Sequence, residues 1–339
     1  MSTTALRQAQ GPAGQGQGPA GQAEGPAGQG QGPAGQAEGP AGQAQGPVSG
    51  HLTPHPRLSV NQATIKYATL PEAVAAVTAA GVTSFGAWRE PVQECGVAAS
   101  ASLLTDSGLR VSSLCRGGFF TMPEGPARRT SIDDNRTAID EAAALGAPAL
   151  VLVVGGLPAG SRDLIGAREL VRDAIGELTD HALESGVQLA IEPLHPMYAS
   201  DRAVVSTLGQ ALDIAEQFAP EAVGVVVDTF HIWWDPQVLE QIARAGATGR
   251  ISSYQACDWS TPLAADVLLS RHYPGDGVVD FGSLTRAVEA AGYTGDIEVE
   301  LFNQDIWDSP FQQVVDRTVD AFQATVVPHL DHDDAIHHP

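Results

Sequence analysis

The chain has 339 residues, with 40 acidic against 18 basic side chains and a formal net charge of −22 at pH 7. So acidic a balance argues against a nucleic-acid or anionic-membrane partner, because binding either needs clustered Lys and Arg. No apolar run approaches the roughly 20 residues of a membrane span, and the N-terminus lacks the apolar centre of a secretory signal, so the cytoplasm is the expected compartment.

Residues 9 to 47 repeat a seven-residue unit, QGPAGQG or EGPAGQA. Its glycines and prolines do not recur at every third position, which excludes a collagen helix. With almost no large apolar residue it has nothing to offset its ordering entropy. Residues 1–56 are therefore expected to form a disordered extension.

From Arg57 strands and helices alternate without interruption. LSVNQATI reads as the first strand, and LPEAVAAVTAAG as a helix opened by Pro71 and closed by Gly81. TSFGAWRE is the second strand, followed by the helix GVAASASLLTDSG. RVSSLCRGGFF is the third, and Ser131 is expected to cap the helix after it. PALVLVVGG, VQLAIEP, AVGVVVDTF, RISSYQACDW and DIEVELFN complete a set of eight, with helices between and after them. Continuous apolar runs of this kind suit buried parallel strands. Residues 57–328 are accordingly expected to form one (β/α)8 TIM barrel, for which about 270 residues is an ordinary length. An open doubly wound sheet would need a phosphate-binding glycine fingerprint after the first strand, and NQATI offers none. Residues 329–339, HLDHDDAIHHP, read as a disordered tail whose His and Asp residues could hold metal only loosely. Cys95, Cys115 and Cys257 are widely spaced with no CxxC pair and read as reduced thiols.

Chemistry gathers at four of the strand ends. Glu192 closes VQLAIE, Asp228 closes GVVVD, Gln255 lies in ISSYQ, and Glu300 in DIEVE. A barrel brings such ends to one mouth. Three carboxylates converging there would repel one another, and a divalent cation resolves the conflict. An all-oxygen donor set suits Mn²⁺ or Mg²⁺ better than a soft-ligand zinc site.

Several segments carry a resemblance: LCRGGFF, IEPLHPMYASDR, VVVDTFHIWWD, YQACDW, PGDGVVD and EVELFN. Over about residues 59–327 the chain resembles the xylose-isomerase-like sugar isomerases and epimerases, with their inosose and dehydroshikimate dehydratase relatives. That resemblance implies a divalent metal at the barrel mouth held by Glu192, Asp228, Gln255 and Glu300, where most relatives have His in place of Gln255. Mn²⁺ is the expected ion, with Mg²⁺, Co²⁺ and Zn²⁺ as alternatives. It also implies that His231, in the DxxH pattern, contacts substrate or a metal-held water.

Further substrate-binding candidates are His195, three residues after Glu192; Arg116 beside a glycine pair; Arg202 and His272 in long loops; and Trp88 as an apolar wall, with Trp233, Trp234 and Trp259. The expected chemistry is proton abstraction next to a carbonyl through an enediolate, with Glu192 and Glu300 as acid and base. Returning the proton gives isomerisation or epimerisation of a small carbohydrate or keto-cyclitol. Loss of a β-hydroxyl gives a dehydratase or another eliminating lyase, the outcome Gln255 most favours. A non-catalytic sugar-binding barrel is a third reading, and a DNA-repair endonuclease a fourth that the charge disfavours. Barrels of this size often pair, so a homo-oligomer is left open.

Overall fold

A computed structural model describes residues 52–330. The seven-residue repeat and most of the C-terminal tail lie outside the described residues. The described chain begins a little before the expected boundary: His55 packs near Phe322, and Gln323 Nε2 donates to the Thr53 carbonyl.

In chain order the strands are β1 (Leu58–Asn61), β2 (Ser84–Trp88), β3 (Arg110–Gly118), β4 (Ala149–Val153), β5 (Gln188–Ile191), β6 (Val223–Asp228), β7 (Ile251–Gln255), β8 (Asp258–Trp259), β9 (Arg271–His272) and β10 (Ile297–Val299). All but β8 and β9 are parallel, and they close a barrel in which β10 joins β7 to β1. The chain therefore has the (β/α)8 TIM-barrel fold expected from its alternation. Among the described residues, no helix is long and apolar enough to cross a membrane.

The strand period of two decides what faces the barrel axis. Leu150, Leu152, Leu189, Ile191, Val225 and Val227 join the main apolar cluster with the surrounding helices, while Cys115, Ala149, Val151, Ala190 and Val226 form a separate small one. Carrying that inner face two residues onward from Ala190 gives Glu192, and from Val226 gives Asp228. The candidate site is thus the top layer of the barrel interior.

A lower layer is unusually polar. Ser59, Asn61, Ser84, Ser113, Ser253 and Glu298 are all buried. Asn61 Nδ2 donates to Glu298 Oε2 at 3.0 Å, and Asn61 Oδ1 accepts from Trp88 Nε1 at 2.7 Å. Burial pushes the Glu298 carboxyl above its ordinary range. Because the period is two, Glu298 and Glu300 share a face, one beneath the other.

Three local expectations need correction. The first strand stops at Asn61, whose side chain accepts the Ala63 N–H and turns Gln62–Ile65 into a 3-10 helix. Ser131 is no cap: the helix runs Pro126–Leu145 from Gly125, and the Ser131 hydroxyl donates to the Phe119 carbonyl. RISSYQACDW is two strands, and its second half, β8, pairs antiparallel with β9 as a short ribbon over the barrel mouth's edge.

Gly118 has φ +118°, and a Cβ there would lie 1.9 Å from the Val153 carbonyl oxygen. That oxygen is backbone and cannot step aside, so Gly118→Ala should cost about 2–3 kcal/mol of stability. An unchanged urea midpoint would show that the β3–β4 approach is looser than described.

Candidate active site

Glu192, Asp228 and Glu300 are all buried at neighbouring strand ends. Between them lies a group the sequence reading did not single out, Arg271 of β9. Its Nη1 is 2.9 Å from Asp228 Oδ2 and 2.9 Å from Glu300 Oε2, and its Nη2 is 2.9 Å from His231 Nε2. The guanidinium also lies over the rings of Phe230 and Phe302. Its side chain is 3% exposed, so charge pairing here is little screened by water.

His231 follows Asp228 on a single helical turn, Thr229–Ile232. Its Nε2 is 4.0 Å from Glu192 and 3.9 Å from Asp228. The His195 backbone N–H donates to its Nδ1 at 3.2 Å. A neutral imidazole has one proton, so Nδ1 and Nε2 cannot both accept. With the His195 bond made, Nε2 carries the proton and the Arg271 contact is unfavourable; with Arg271 donating to Nε2, the His195 bond is lost. Burial, and then Arg271, push the His231 pKa well below its usual value, which keeps the ring neutral. The ring packs against Tyr198 and Phe230, not Trp233 or Trp234.

Gln255 is fully buried, and neither of its amide atoms has a hydrogen-bond partner. An orphaned buried amide costs roughly 1–3 kcal/mol, a cost an occupant would remove. The Cys257 thiol lies 3.7 Å from Asp228 Oδ1, and the Cys115 thiol 3.9 Å from Glu300 Oε1. Burial pushes both thiols up, so they are protonated neighbours and not thiolate ligands.

Burial and the neighbouring carboxylates raise the Glu192 carboxyl well above its ordinary value. Burial raises Glu300 to about 7, with Arg271 opposing. Three acids facing one guanidinium want a further cation. Oxygens of Glu192 and Asp228 and a nitrogen of His231 lie within 4.8 Å of one another. Those three atoms are a donor set that fits a divalent cation, and the unpartnered Gln255 amide is buried at the end of the adjoining strand β7.

Glu192, His231, Arg271 and Glu300 open into a cavity of about 730 Å³. Arg116, Arg202 and Trp88 line it as expected, and Gln62, Lys66 and Trp307 line it unanticipated. His272 does not: its Nδ1 contacts Asp276 at 3.0 Å, because adjacent residues of a strand face opposite ways and Arg271 takes the inward side. His195 lies outside the lining too, with its ring against Trp234 and Trp259, and acts on the site through its backbone N–H. Trp233 stacks near Trp259 in that same cluster.

The chain matches the family described as the xylose isomerase-like TIM barrel over residues 74–324, and it belongs to that family. A stretch of 216 residues is 23% identical to an inosose isomerase of Halalkalibacterium halodurans, covering 62% of this chain and 73% of that protein. Another of 171 residues is 32% identical to a 3-dehydroshikimate dehydratase of Pseudomonas putida, covering 48% of this chain but only 25% of that longer protein. Among solved structures, a Sinorhizobium meliloti protein superposes with a TM-score of 0.77 at 46% identity, over 79% of this chain and 98% of that one. The IolI protein, solved with a bound zinc atom, superposes with a TM-score of 0.72 at 20% identity, over 81% and 99%, and shows the fold alone. The homologues include isomerases and dehydratases.

Two outcomes test the electrostatics. Glu192 and Glu300 hold protons in the folded protein that the unfolded chain, at the ordinary value of 4.5, has already released. Stability of chelator-treated protein should therefore fall as pH rises from 4.5 to about 7, and Glu300→Gln should flatten that fall; thermal midpoints across the range check both. Arg271→Met removes the guanidinium that pairs with buried Asp228 and Glu300. It should cost about 3–5 kcal/mol in metal-free protein, with part restored by Mn²⁺.

Proposed function

We propose that this protein is a divalent-metal-dependent isomerase or epimerase of a small polyhydroxylated carbonyl compound, a keto-sugar or keto-cyclitol. The observation that carries the reading is the pair of buried carboxyls, Glu192 and Glu300, on different strand ends of one cavity, with Glu192 raised well above its ordinary value and Glu300 raised to about 7. A general base works best with a pKa near the operating pH, and burial supplies that shift.

Glu192, Asp228, Gln255 and Glu300 would hold the metal, which when bound supplies Lewis-acid polarisation of the substrate's oxygens. Mn²⁺ is the ion proposed. Glu192 takes the proton from the carbon beside the carbonyl, and Glu300 returns one at the same or the neighbouring carbon. Arg271 holds Glu300 by its Oε2 and keeps a fixed positive charge where negative charge develops. His231, neutral, faces Glu192 and Asp228 through Nε2 and serves a substrate hydroxyl. Trp88, Arg116 and Arg202 line the cavity around the rest of the substrate.

A second reading is dehydration or a related elimination. Gln255 at the third ligand position favours it, as does the shared stretch with 3-dehydroshikimate dehydratase. In that case Glu192 acts as before, and the leaving β-hydroxyl takes the proton.

The discriminating experiment follows solvent deuterium into ketoses, 2-keto-inositol and 3-dehydroshikimate by NMR, with chelated and Mn²⁺-reloaded protein. Exchange should need metal and fall by about 10²–10⁴-fold in Glu192→Gln and in Glu300→Gln. A product that has lost water selects the dehydratase reading. Metal-independent behaviour with no exchange on any substrate would overturn both and leave a sugar-binding barrel.

A further inference from the structure

The far wall of the cavity carries an aromatic row. Trp88 and Phe302 meet edge to face with centroids 5.7 Å apart, and Phe302 and Trp307 likewise at 5.7 Å. Each ring has a cation beside it: Arg116 at 5.8 Å from Trp88, Arg271 at 5.2 Å from Phe302, and Lys66 at 4.2 Å from Trp307. Both indoles are fixed by their N–H groups, Trp88 on Asn61 and Trp307 on the Ala63 carbonyl. Arg271 is committed to the acids. Lys66 has no carboxylate partner among the described residues, although Arg57, Arg89, Arg110, Arg128 and Arg244 each have one.

Lys66 is the one lysine among 18 Lys and Arg residues in a chain of net charge −22. A surface cation in such a field ordinarily finds an acid, and stacking on an indole leaves its charge unbalanced. Four residues earlier, Gln62 lines the same cavity. It is 1% exposed, and both its amide nitrogen and its amide oxygen lack hydrogen-bond partners. Two donors of one 3-10 turn, an ammonium and a buried amide, are thus uncommitted beside a fixed aromatic face. Glu90 and Glu94 also line the cavity, on the helix Arg89–Cys95, and both are exposed to screening solvent.

We propose that Lys66 and Gln62, with Trp307 beneath, form a subsite for an anionic group of the substrate, a carboxylate or a phosphate monoester. The subsite rests on the reading of this cavity as a substrate site and narrows that substrate to an acidic carbonyl compound. The ammonium gives the anion a charge-assisted hydrogen bond and the Gln62 NH₂ a second donor. Arg116, at the opposite end of the row, is the competing seat.

Binding to chelator-treated full-length protein tests this without catalysis. Benzoate and phenyl phosphate are titrated at low ionic strength, with benzyl alcohol as the neutral control, by calorimetry and tryptophan fluorescence. The anions should bind and the alcohol should not, and the tighter of the two anions identifies the group. Lys66→Met should weaken anion binding about tenfold or more, Lys66→Arg should restore most of it, and Gln62→Leu should weaken it by a smaller factor. Equal binding of anion and alcohol overturns the proposal. So does a loss confined to Arg116→Met, which would seat the anion at the other end. Deuterium exchange into an acidic carbonyl substrate with the same KM in Lys66→Met would also sink the subsite, while leaving the proposed chemistry standing.

Discussion

The packing of one buried guanidinium beside three buried carboxylates, two of which it pairs with, governs this molecule. Glu192, Asp228 and Glu300 stand at the ends of separate strands, and Arg271 reaches two of them at 2.9 Å. Without a cation among them, burial of three acids would be prohibitive. With only one, balance is incomplete: the Glu192 carboxyl is raised well above its ordinary value by burial and its acidic neighbours, and Glu300 by burial to about 7. That incompleteness is what suits them both to a divalent ion and to moving a proton, since a fully neutralised set would have no use for either.

The barrel produces this arrangement by simple periodicity. Inner positions two residues apart stack small residues beneath acids, Ala190 under Glu192 and Val226 under Asp228. On β10 the residue beneath Glu300 is another acid, Glu298, held by Asn61. Asn61 in turn holds the indole of Trp88, which faces the cavity. The lower barrel and the cavity wall are therefore one hydrogen-bonded structure, and Asn61 is the residue that joins them.

The eight barrel strands were legible from their alternation with helices, and Glu192 and Asp228 stand out because each closes an apolar run, whereas Ser252, Ser253 and Glu298 break the runs before Gln255 and Glu300. Arg271 was not, because β9 has two residues and no period; the choice between Arg271 and His272 depends on ribbon pairing that only the fold supplies. Gln62 and Lys66 were hidden for a related reason. They sit where the first strand was expected to continue, and the Asn61 side chain, by taking the Ala63 N–H, converts that segment into a turn facing the cavity. His195, a candidate for substrate contact, has its side chain capping the turn Pro196–Tyr198 and meets His231 through its backbone N–H.

The chain's use of arginine nearly everywhere gives Lys66 a practical meaning beyond any ligand it holds. A reagent that modifies ε-amines has a single lysine address in all 339 residues, and that address lines the cavity beside Trp307. A fluorophore or cross-linker attached there would report directly on occupancy of the barrel mouth, in a protein where lysine chemistry usually yields a scattered average over the surface.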